Sequence, residues 1–127
     1  MKILAVILGA IVAVFVLIMP ITAIMASQGL KNAEKPWAAG LVFNAARIRM
    51  RLFRYGSAAR IMEAGLKQFP NLPDKPKVYY QIGLCHEKRG DTQLAKQWYQ
   101  EYLKTWPTHP WASQARAHIE KIEAEVL

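Results

Sequence analysis

From Ile3 to Ala26 the chain reads ILAVILGAIVAVFVLIMPITAIMA, an apolar run with no charge, and beyond it apolar positions recur only at helical spacing. Roughly 20 apolar residues cross a ~30 Å hydrocarbon layer as a helix, so residues 1–26 read as a transmembrane anchor. Pro20 falls near the far end of the run, where water or the interface can make good a lost backbone bond. Residues 27–35, SQGLKNAEK, are polar and contain a glycine, the pattern of a juxtamembrane linker. Pro36 suits a first helical position, and Leu41, Ala45, Ile48 and Leu52 mark one face of a helix from Trp37 to about Arg54. Tyr55 and Gly56 read as its break, and Ser57 as the cap of a second helix carrying Ala58, Met62, Gly65, Leu66 and Phe69 until Pro70. After the proline-rich connector PNLPDKP, Val78, Ile82, Cys85 and His86 mark a third helix ending at Gly90. A fourth carries Leu94, Ala95, Trp98, Tyr99, Tyr102 and Leu103 and stops before Pro107. Trp111, Ala112, Ala115, Ile119 and Ile122 mark a fifth, and no strand alternation competes, so the fold class is all-α.

A cleavable signal peptide is the competing reading of the N-terminus, with Lys2 as its basic flank and Ala26 before a cut. Its apolar region usually spans 7–15 residues, and this run is longer, which favours a retained anchor. Orientation is close to a tie: Lys2 and the terminal amine stand against Lys31 and Lys35. The single lysine abutting the run tips the expectation toward an exported, periplasmic domain on a bacterial inner membrane, while Arg47, Arg49, Arg51, Arg54 and Arg60 favour an anionic cytoplasmic leaflet.

The formal charge of +8 suggests nucleic acid, yet the basic residues lack interleaved aromatic platforms, and a membrane surface accounts for them more simply. Cys85 is alone, so no intramolecular disulfide forms. Cys85 and His86, with His109 and His118, invite a metal or nucleophile reading. Adjacent helical residues point about 100° apart, and no partner at i+3 or i+4 joins them. Both therefore read as packing residues. No phosphate loop, triad order or carboxylate pair is present. The sequence implies neither enzyme, cofactor, metal nor small-molecule substrate.

Tyr79, Ile82, Gly83 and His86, then Ala95 and Tyr99, then Pro107, fall at spacings that resemble the tetratricopeptide repeat. A preceding copy keeps register 37 residues earlier: Val42, Ala45, Ala46 and Arg49, then Ala58, Met62 and Pro70. Val42 and Arg49 depart from that pattern, standing where aromatics belong. The stretch YLKTWPTHPWASQARAHIEKI is also loosely similar to repeats of bacterial envelope proteins, without a lipobox cysteine. The resemblance implies repeats over about 39–72 and 76–109 and a capping helix over about 110–125, a short helical-hairpin solenoid within residues 36–127. It implies repeat-packing roles for Ala46, Ala58, Pro70, Tyr79, Gly83, Ala95, Tyr99 and Pro107. It further implies a concave partner-binding groove lined by Phe43, Arg47, Arg51, Lys77, Tyr80, Leu84, Lys88 and Arg116. The expected function is a non-catalytic scaffold or accessory subunit of a membrane complex. The alternative is a tethered recruiter of soluble acidic segments, with arginine gripping carboxylates and aromatics supplying contact area. Contact of the arginines with anionic lipid is a further expectation.

Overall fold

The computed structural model describes residues 1–126, and among these every regular element is a helix. In chain order they are α1 (Lys2–Lys31), α2 (Ala38–Arg51), α3 (Tyr55–Gln68), α4 (Lys75–Lys88), α5 (Thr92–Thr105) and α6 (Ala112–Val126). The extensive contacts join helices that are neighbours in sequence, with a smaller one between α1 and α3.

The apolar run forms α1, whose most apolar stretch has a mean hydropathy of 3.0 and buries none of its residues. By length and composition this helix can cross a membrane. It does not end at Ala26. Ser27–Lys31, expected in the linker, continue the helix, because Thr22, Ala26 and Gly29 form a buried stripe against α2. At Gly29 the fit is tight: a Cβ there would lie 2.8 Å from the Ala38 carbonyl oxygen. Asn32 then closes the helix, its side-chain Nδ2 donating to the Gln28 carbonyl at 2.8 Å.

The break between α2 and α3 lies earlier than the sequence pattern suggests. α2 stops at Arg51, and α3 starts at Tyr55, ahead of the expected cap. Ser57 caps nothing; its hydroxyl donates to the Arg54 carbonyl at 3.3 Å. The turn is made instead by Phe53 at φ 62°, with Phe53 N–H donating to Met50 O at 3.0 Å and Arg54 N–H to Arg49 O at 2.8 Å. These two bonds form the paired closure of a helix ending in a left-handed residue.

α4 begins with Pro76 in its first turn and ends at Gly90, φ 93°, through the same pair of bonds. Asp91 then caps α5, accepting from the Leu94 N–H at 3.2 Å. The core has two parts. Phe43, Ala46, Ala58, Met62, Ile82 and Cys85 fill the space among α2, α3 and α4. Tyr80, Ala95, Tyr99, Tyr102, Ala115 and Ile122 fill that among α4, α5 and α6. Gly83 lets α4 and α5 approach: a Cβ there would meet the Tyr99 ring at 2.7 Å.

Candidate functional site

The proposed packing residues divide cleanly. Ala46, Ala58, Gly83, Ala95 and Tyr99 are buried between helices, and Tyr79 is half-buried, edge-on to Trp98 and Trp106 at 5.2 and 5.0 Å. Pro70 and Pro107 are exposed at the ends of α3 and α5.

The proposed groove set does not lie on one surface. Phe43 is buried, tilted on Phe69 at 6.4 Å and pressed toward Gly65. Tyr80 is also buried, among Tyr99, Tyr102 and Trp111. Both are core residues, and Leu84 is half-buried against the second core. An aromatic one residue off the expected packing position still turns inward when the neighbouring helix presents a glycine or an aromatic cluster. Of the cations, Arg47 lines a small cleft of about 200 Å³ with Phe43, Leu72, Asp74 and Val78. Lys77 is exposed above the Trp111 ring at 5.4 Å, a cation–π distance. Arg116 donates to the Pro107 carbonyl at 3.2 Å, and Arg51 is exposed at the end of α2. Lys88 belongs elsewhere, in the hollow beside the α2 to α3 turn.

Two polar networks tie the helices together. His86 is buried; its Nε2 meets Glu63 Oε1 at 3.0 Å, and Arg89 Nε donates to its Nδ1 at 3.0 Å, which leaves the Nε2 hydrogen for the carboxylate. Glu87 joins three helices: it accepts from the Tyr99 hydroxyl at 2.9 Å and sits 2.9 Å from His118 Nδ1 and 3.9 Å from Lys121 Nζ. Burial, with the Glu87 charge second, raises the Tyr99 and Tyr80 pKa values. Burial and then Glu63 push the Cys85 thiol up to about 12, so it is a protonated, inert packing group. The described residues contain no group of three or more His, Cys, Asp or Glu placed to hold a metal.

The junction of α1 and α2 carries the feature least visible in the sequence. Arg49, out of place in the repeat pattern, reaches into α1: its Nε donates to Thr22 Oγ1 at 2.9 Å and its Nη2 to the Met19 carbonyl at 3.1 Å. The Thr22 hydroxyl in turn donates back to its own helix, with Ile18 O at 2.9 Å and Met19 O at 3.0 Å. Burial, then the charges of Arg54 and Arg60, lower the Arg49 pKa. Further along, Leu52 lines an apolar hollow with Val14, Phe15 and Ile18 of α1. The domain is therefore fastened to the apolar helix by close packing, a charged hydrogen-bond pair and an apolar contact. The sequence signals were two: a threonine inside an otherwise aliphatic run, and an arginine where an aromatic was expected.

No protein family, no curated protein and no solved structure matches this chain.

Proposed function

We propose that the protein is a membrane-anchored, non-catalytic scaffold or accessory subunit whose helix pairs form a short tetratricopeptide-like solenoid that holds a protein partner within a membrane complex. The observation that carries this reading is the joining of α1 to α2. The apolar helix continues into the helical stack, and Arg49 clamps the two together. In this reading α1 covers one end of the stack and α6 the other, which suits a domain with only two repeats, since at least three are usually needed for independent stability. The equivalent small residues Ala46 and Gly83, both buried, support the repeat register.

The test is purification of the full chain, tagged at its C-terminus, from native membranes in mild detergent at low and high salt. A stoichiometric membrane partner that survives high salt is expected. Recovery of the chain alone at both salts would refute the subunit reading.

The recruiter reading rests on the exposed Arg51 and the half-buried Arg47, on the same face of α2. It predicts soluble partners lost at high salt, as screening requires for exposed charges, and lost with Arg47→Glu and Arg51→Glu together. Unchanged capture by that double variant would refute it.

A further inference from the structure

The α2 to α3 turn departs from its internal counterpart in two ways. Phe53 lies 37 residues before Gly90, and the two close their helices with the same hydrogen-bond pair. At Gly90 the left-handed backbone suits glycine; at Phe53 the same conformation carries a bulky aromatic, strained by about 1–2 kcal/mol. Packing does not account for it, because Phe53 is 77% exposed, touching the Tyr55 ring edge at 6.2 Å. The second departure follows directly. Asp91 caps α5, but its counterpart Arg54 gives α3 no side-chain cap.

Around this turn lies a hollow of about 460 Å³ lined by Phe53, Arg54, Arg60, Lys88 and Arg89. Arg89 is partly engaged, bonded to His86 and to Asp91 at 3.2 Å, whereas Arg54, Arg60 and Lys88 are exposed. The acids nearby are committed: Asp91 to Arg89 and Leu94, Glu63 to His86. The position relative to α1 decides what this surface meets. Counting ~20 residues from Ile3, the apolar span ends near Thr22, yet Leu52 packs beside Phe15 and Ile18. The turn thus lies about one to two helical turns inside that end, in the outer acyl chains beneath the headgroups, within reach of the phosphates for long basic side chains.

We propose that the α2 to α3 turn is a lipid-binding elbow: Phe53 and Leu52 enter the acyl boundary, while Arg54, Arg60 and Lys88 hold the phosphates of anionic phospholipids against the uncapped start of α3. This rests on α1 spanning the membrane. A basic group near an anionic surface is favourable, anions are favoured at helix N-termini, and the strained aromatic is stabilised only where its ring leaves water.

The test uses the full chain in nanodiscs of phosphatidylcholine, with or without phosphatidylglycerol, followed by amide hydrogen exchange. Residues 52–60 are expected to exchange about tenfold more slowly in the anionic discs, equivalent to ~1.4 kcal/mol of protection. Arg54→Glu, Arg60→Glu and Lys88→Glu together should abolish the difference. Phe53→Gly should lessen the protection in anionic discs while the chain stays folded, and it guards against a triple variant that misfolds. Equal exchange of the native chain in both lipids would overturn the proposal. So would retained protection in a folded triple variant, or full protection in neutral discs from inorganic phosphate alone, which would mark a free-anion site. Amides 6–18 protected in both discs uphold the membrane premise; free exchange there would overturn that premise, and the elbow with it.

Discussion

Replacing Arg49 by methionine keeps an unbranched apolar stem but loses the guanidinium, and with it both donors to α1, at 2.9 Å and 3.1 Å. Hydrogen bonds to charged groups contribute about 1.5–3 kcal/mol. The lower part of that range applies, since Thr22 keeps its bonds to Ile18 and Met19 and relief from the charges of Arg54 and Arg60 offsets some of the loss. About 1.5 kcal/mol is expected, roughly a tenfold rise in the opening of α2 from α1. Thr22→Val, which removes one acceptor, should weaken the junction by about 1 kcal/mol. The assay is amide hydrogen exchange of residues 42–50 in nanodiscs, for both single variants and the double, with Arg51→Met as a control expected to change nothing. The pair should be non-additive by about 1 kcal/mol, because the second substitution finds one bond already gone. Additivity within ~0.3 kcal/mol, or unchanged exchange in Arg49→Met, would show that the contact does not hold the helices together.

Gly83→Ala should destabilise the chain by about 1–3 kcal/mol despite alanine's better helix propensity, because its methyl would meet the buried Tyr99 ring at 2.7 Å. Gly40→Ala, with nothing within 4 Å, should stabilise it by up to ~1 kcal/mol, and denaturant unfolding compares the two. Glu87→Ala leaves the Tyr99 hydroxyl without its partner and should cost about 1–3 kcal/mol in the same measurement. Cys85 should resist maleimide at pH 8 until denaturant is added; rapid labelling of the native chain would contradict its burial. Because Cys85, Tyr80, Tyr99 and Tyr102 have raised folded pKa values, the unfolded chain loses these protons first. That stability is complete below the unfolded values, about 8.5 for Cys and 10 for Tyr, and is lost as pH rises toward the folded ones. Alkaline denaturation curves should steepen above about pH 10, and a flat profile would refute this.

The helices are legible wherever apolar spacing is regular; Gly83 lies against the Tyr99 ring, and Ala95 shares the core with Tyr99. The end of α1 is not legible, because Ser27 to Lys31 look like linker by composition and are helical only through packing by Ala26 and Gly29 against α2. The repeat register places Phe43 and Tyr80 on a surface, but a register fixes the direction of a side chain, not whether a neighbour covers it. Glu87 gave no signal, since its partners Tyr99, His118 and Lys121 come from two other helices. Arg49 stands out in sequence only as a departure from the repeat pattern, and it lies where α2 meets α1; the left-handed Phe53 has no sequence signal.

An apolar helix locked into the domain it carries is a lever. With α1 continuous to Lys31 and clamped at Arg49, any tilt of the apolar segment swings the far end at α6 through an arc. On the proposed reading, in which α1 crosses a bilayer, membranes of different thickness would impose different tilts on it, and the height and angle of α6 would follow the lipid. A force applied at α6 would, by the same rigidity, reorient α1.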